Sequence, residues 1–141
     1  MKTLAKTTLV FLSTWVATSV AAQDTITDPK LVIELNTAQT TEQACRLSFL
    51  VTNEHPDEIG SAVFETVLFN ADGSVNQLTL FDFGVLPSNR PRIRQFDVAG
   101  LSCDGLGSLL INGATTCEAA DTNICVGTLK LETRTDIEVL G

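Results

Sequence analysis

The chain is predicted to be all-β, a two-sheet antiparallel sandwich of about seven strands stapled by disulfides. Three observations carry that reading. Apolar residues come in short runs, several alternating with polar ones at period two, the spacing of a strand with one buried face. Turn residues separate these runs at near-even intervals, and seven such runs fit into about 110 residues. No window sustains the three-and-four spacing of an amphipathic helix over 11 residues. A closed barrel is the alternative arrangement of the same strands.

The N-terminus, MKTLAKTTLVFLSTWVATSVAAQD, places Lys2 and Lys6 before a short apolar stretch from Thr8 to Val16, and small residues follow. Residues 1–22 therefore read as a secretory signal peptide, with cleavage after Ala21 or Ala22. The apolar run is too short and too interrupted for a membrane span, which needs about 20 residues. It has no Arg-Arg pair, which favours general export over the twin-arginine route, and no cysteine at the cleavage site to carry a lipid anchor. Residues 23–30, QDTITDPK, read as a flexible lead-in, and 31–141 as one domain. Removing residues 1–22 from the 141 leaves 119, enough to bury roughly two-thirds of the unfolded chain's surface.

The strands follow in order. LVIELN (31–36) precedes polar TAQTTEQA, and CRLSFLVTN (45–53) alternates Leu47, Phe49 and Val51 with Arg46, Ser48 and Thr52. A short helix over TTEQACRLSFL is the one rival to that strand's start. EHPDEIG breaks the pattern through Pro56 and Gly60. AVFETVLFN (62–70) and VNQLTLFDFG (75–84) flank ADGS, and an Asp-Gly pair there is a hairpin signal because glycine accepts positive φ. After the loop VLPSNRP come RIRQFDVAG (92–100), GSLLING (107–113) and VGTLKLETRT (126–135).

The run from LSFLVTN to RIRQFDV resembles the FxLYD-type immunoglobulin-like modules of bacterial exported proteins. Val51 and Asn53 match their V-x-N element. Leu68, Phe69, Asn70, Asp72 and Gly73 match the L-Y-D-x-D-G element, with Phe for Tyr and Asn for Asp. Gly84, Leu86 and Pro87 fit the G-x-L-x-P loop, and Phe96 and Val98 the closing F-x-V. The resemblance covers residues 47–98; the C-terminal third, with three of the four cysteines, departs from it. Signal, cysteines and the ending LETRTDIEVLG are also similar to small uncharacterised periplasmic proteins of Gram-negative bacteria. The resemblance implies an immunoglobulin-like sandwich with a scaffold or binding role and no catalytic residues.

Four cysteines in an exported domain favour disulfides, and four allow three pairings. Strand topology selects among them. If 45–53 and 92–100 are antiparallel neighbours, the start of one lies near the end of the other, which pairs Cys45 with Cys103. Cys117 would follow one strand and Cys125 precede the next at the same hairpin end, making CEAADTNIC a clasp closed by Cys117–Cys125. No C-x-x-C spacing and no adjacent cation suggest a reactive thiol.

Charge and composition exclude several functions. The signal takes two of the nine cationic residues, leaving seven against 17 acids, a mature formal charge of −10. Such a field repels nucleic acid and anionic lipid, and favours basic partners. The mature chain has no Tyr and no Trp, since Trp15 lies in the signal, so large aromatic interface anchors and sugar-stacking platforms are missing. Glu118, Asp121 and Asn123 in the clasp, with Asp104, offer oxygen ligands but at no recognisable calcium-loop spacing, and NADGS (70–74) is explained as a turn. His55 reads as an exposed loop residue beside Pro56. Ser61 and Ser74 show no nucleophile context, and no carboxylate pair lies in a glycosidase-like motif. No metal, no cofactor and no catalytic residue is expected.

The remaining feature is NRPRIR. Arg90, Arg92 and Arg94 are three of the seven mature cations, and alternation puts Arg92 and Arg94 on one strand face. This stripe suits bidentate capture of a carboxylate or phosphate, or, more plainly, a solvated face that discourages strand pairing. The functional expectation is a non-catalytic periplasmic or secreted accessory module that binds an envelope protein or an anionic ligand. It would have no nucleic-acid partner and no membrane anchor after signal cleavage. The alternatives are a small acidic inhibitor of a basic hydrolase such as a lysozyme, and a weak carboxylate-dependent hydrolase.

Overall fold

A computed structural model describes residues 28–141; the expected signal peptide (1–22) and residues 23–27 of the lead-in lie outside the described residues. The strands are β1 (Leu31–Thr40), β2 (Ala44–Asn53), β3 (Ile59–Asn70), β4 (Val75–Leu86), β5 (Arg92–Ala99), β6 (Leu106–Cys117), β7 (Leu129–Thr133) and β8 (Glu138–Leu140). A 3₁₀ turn at Cys103–Gly105 precedes β6, and a single helical turn, α1 (Ile124–Gly127), precedes β7. They form two four-stranded sheets, ordered β5-β2-β1-β7 and β4-β3-β6-β8. This is the expected all-β sandwich, and the barrel alternative does not form.

Alternation decides which side chains fill the space between the sheets. In β2, Leu47, Phe49 and Val51 point inward and stand opposite Phe96, Arg94 and Arg92 of β5. Ala62, Phe64, Thr66 and Leu68 do the same from β3. Phe49, Phe64 and Phe83 are fully buried, each contributing about 2–3 kcal/mol of burial. The β3–β4 hairpin turns as the sequence predicts: Gly73 takes φ 84°, and its N–H donates to the Asn70 carbonyl at 2.9 Å.

Two expectations need correction. The sheets are mixed, because β1 pairs with β7 and β6 with β8 in parallel. The chain reaches β7 and β8 by crossing from one sheet to the other, and strands entered by a crossover are free to run parallel where a hairpin forces antiparallel pairing. Short β8 was not separated from the polar ending in the sequence, since three residues show little periodicity. The clasp is also no hairpin end. Cys117 closes β6 in the second sheet, whereas Cys125 sits in α1, which leads into β7 of the first.

The disulfides themselves pair as expected. Cys45–Cys103 joins inward-facing β2 to the 3₁₀ turn, with Cα atoms 4.8 Å apart across a separation of 58 residues. Cys117–Cys125 spans 8 residues with Cα atoms 6.1 Å apart. The first fastens one sheet to the start of β6; the second fastens the end of β6 to the route back.

Candidate binding surface

The two outer faces of the sandwich are built from different chemistry. On the first sheet the polar outward side chains satisfy one another, around a smaller apolar group of exposed Ile93, in register with half-buried Leu50, and Val32. Arg46 of β2 donates two hydrogen bonds to Asp97 of β5, at 2.7 and 2.9 Å, and Gln95 donates to Ser48 at 2.8 Å. Arg134 donates to Glu34 at 2.7 Å, and Lys130 pairs with Glu132 at 2.7 Å. The hydrogen bonds from Arg134 and Asn36 hold the Glu34 carboxyl below the usual carboxylate range, and Arg46 does the same for Asp97.

The second sheet presents hydrocarbon outward. Strand register aligns Leu78 of β4 with Val67 of β3, Val67 with Leu110 of β6, and Leu110 with Leu140 of β8. One apolar row thus crosses all four strands. Leu80 and Val75 extend it along β4, where Leu78 and Leu80 are each more than half exposed, at 56% and 55%. Charge divides the same way. The four strands of the second sheet carry Glu65, Asp82 and Glu138 and contain no Lys or Arg, whereas those of the first carry Arg46, Arg92, Arg94 and Lys130. Isolated exposed apolar residues are ordinary, and it is the alignment of these on one face that makes it the candidate surface.

The arginine stripe lies elsewhere. Arg92 and Arg94 do share a face of β5, and it is the inward face at the margin of the sandwich, continuing through Phe96 and Val98 into the core. Arg94 reaches across to the other sheet, its Nε donating to the Phe83 carbonyl at 2.7 Å and its Nη2 to the Val85 carbonyl at 3.1 Å. Gly84, at φ 63°, makes the bulge that exposes these two carbonyls. Arg92 donates to the Pro91 carbonyl at 3.1 Å, and Arg90 lies exposed in the preceding turn.

His55 is buried, at 7% exposure, which corrects the exposed-loop reading. Pro56 turns the β2–β3 loop so that the ring packs inward, where Nε2 lies 2.9 Å from the Thr128 hydroxyl. Thr128 in turn donates to the Ile124 carbonyl of α1 at 2.8 Å, and Ser88 donates to the His55 carbonyl at 2.5 Å. Asn53 donates to the Asp57 and Leu86 carbonyls and accepts from the His55 N–H, at 2.8, 3.0 and 3.1 Å. Asn53 and His55 therefore tie three loops at one end of the sandwich. The V-x-N element marked Asn53 in the sequence; no local pattern marks a histidine whose partner is 73 residues away.

Asp121 of the clasp and Asp72 of the turn serve local hydrogen bonds. The Asp121 carboxylate accepts from the Asn123 N–H at 2.9 Å, and that of Asp72 accepts from the Ser74 N–H at 2.9 Å and from its hydroxyl at 2.5 Å. These Ser74 bonds hold Asp72 below the usual carboxylate range. Among the described residues no group of three His, Cys, Asp or Glu side chains converges as a metal site would require. No described helix is long and apolar enough to cross a membrane. The chain matches no family model, no curated protein and no solved structure.

Proposed function

We propose that this chain is a non-catalytic binding module of the periplasm or cell exterior, whose outer second-sheet face docks a protein partner that is apolar at its centre and basic around it. The observation that carries the reading is the Leu78–Val67–Leu110–Leu140 row on a sheet with acids and no cation. Apolar contact would supply the affinity, and the acidic surround would select and steer a basic partner. The disulfides and the signal-like N-terminus support an oxidising compartment. The resemblance of residues 47–98 to FxLYD-type modules points the same way.

A second reading, inhibition of a basic hydrolase, is favoured by the same charge asymmetry, since the inhibited enzyme would be one instance of such a partner. The test is capture from the host's envelope extract by immobilised mature protein, compared with the double variant Leu78→Asn, Leu80→Asn. A stoichiometric basic partner should bind the wild type, weaken with salt and be lost from the variant. Changing the first sheet, by Ser48→Ala with Gln95→Ala, should leave capture intact. Equal capture by both double variants would remove the second-sheet face from the reading.

A further inference from the structure

Resting on the reading as a protein-binding module, we infer a second, more specific contact: the free edge of β6 takes up an extended peptide segment by strand addition. The segment anchors an apolar side chain in the adjoining cavity and carries basic residues at its ends.

Three observations converge on this edge. Strand β8 pairs with β6 only through residues 108–110, so residues 111–117 have β3 on one side and, among the described residues, no strand on the other. A strand edge of this kind offers unpaired N–H and C=O groups to another chain. Residues 111–113 form one rim of a cavity of about 470 Å³ that opens between β6, α1, β7 and β8. Its lining is mixed: Phe64, Ile111, Leu129, Leu131 and Val139 supply hydrocarbon, Asn112 and main chain supply polar surface, and no charged side chain lines it. The surroundings carry more acids than cations: Glu65, hydrogen-bonded to Asn112, and Glu138 lie on the neighbouring strands, Glu118 and Asp121 follow in the clasp, and the one cation, Lys130 of β7, is paired with Glu132.

A small apolar ligand would fill the cavity and leave the backbone edge unmet. An extended segment meets both, its main chain pairing with β6 while alternate side chains enter the cavity, and lysines or arginines at its ends match the acids. The opposite edge of the same sheet is less suited. There Arg94 already occupies the Phe83 and Val85 carbonyls of β4.

The probe is a fluorescein-labelled peptide, Lys-Val-Thr-Val-Thr-Val-Lys, titrated with the mature protein and read by anisotropy. Its match is the same peptide N-methylated at alternate residues on the pairing edge. We expect saturable binding to the unmodified peptide and on the order of tenfold or greater weakening on methylation, which removes main-chain donors. In the protein, Gly113→Phe should weaken binding at least as much. A Cβ at Gly113 meets no atom within 4 Å, so a side chain can begin there without a clash, and an unchanged urea midpoint checks that the fold is kept. Amide exchange supplies a readout independent of any variant: residues 111–116 should gain protection on peptide addition, and β4 should not.

Absence of saturable binding, or equal affinity for the methylated peptide, overturns the inference. So does protection that appears on β4 alone. Should the envelope partner bind wild type and Gly113→Phe equally but not the Leu78→Asn, Leu80→Asn variant, strand addition falls while the sheet-face reading stands.

Discussion

The two open sides of this sandwich are closed by different means. Where β4 faces β5, Phe81 and Phe96 stack with ring centroids 4.3 Å apart, and Phe83 meets Phe49, Phe64 and Phe96 edge-on. Arg94 then seals the margin by bonding across the gap. Where β7 faces β8, strands of five and three residues bring Leu and Val side chains that leave the cavity of about 470 Å³ between them. Strand length and residue size account for the difference, because tight filling needs enough facing positions and enough volume at each. The aromatic side is the more tightly filled of the two.

The largest test of that contrast removes one side chain from each side. Phe83→Ala should cost about 4 kcal/mol, since the side chain is fully buried among aromatic neighbours that cannot collapse into the space. Leu131→Ala, partly buried beside an existing void, should cost only about 1 kcal/mol, because part of its contact is already absent. Urea unfolding midpoints compare the two directly. Equal losses would mean the cavity side is as tightly packed as the aromatic one.

Removing the clasp sharpens the same comparison at an intermediate magnitude. In the chain-entropy account, loss of Cys117–Cys125 costs roughly 2.5 kcal/mol, below the roughly 4 expected for the longer Cys45–Cys103 loop. Its effect should also be local. With Cys117→Ser and Cys125→Ser, amides of α1 and β7 should exchange faster, while those of β2 and β5 around the phenylalanine cluster keep their protection. Uniform acceleration across both sheets would show that the clasp governs the whole sandwich and not the cavity side alone.

How much of this was legible beforehand follows from the range of the interactions. Alternation in 45–53 and 92–100 showed the buried face; the neighbour relation was a supposition, on which the Cys45–Cys103 pairing rested, and the structure has both. The Asp-Gly turn was equally local. Parallel pairing of β7 and β8 was hidden, because it depends on crossing between sheets, and a run of three to five residues has too few positions to show a period. The apolar row was present in the composition of β3, β4, β6 and β8, but near-continuous apolar runs do not say which side chains face out, and only register aligns Val67 and Leu110 with Leu78. The arginines illustrate the converse. Their shared face was evident from spacing; that the face points inward at a sheet margin, onto carbonyls of another strand, depends on how the sheets stack.

The smallest expected effect concerns that seal. In Arg94→Lys the charge remains, but an ammonium at the end of a flexible stem replaces the planar fork that reaches Phe83 and Val85 together. One of the two carbonyl bonds is lost at a partly exposed site, a cost of about 1 kcal/mol. Arg92→Lys, whose described hydrogen bond is to the adjacent Pro91 carbonyl, should stay within about 0.5 kcal/mol of wild type. Salt separates this seal from an ion pair. Both acceptors are neutral carbonyls, so the Arg94→Lys loss should be nearly the same at low and high ionic strength, whereas the exposed Arg46–Asp97 pair should weaken as salt rises. A loss at Arg94 that vanished in high salt would mean the guanidinium acts there as a charge, and the aromatic side would then be closed by its rings alone.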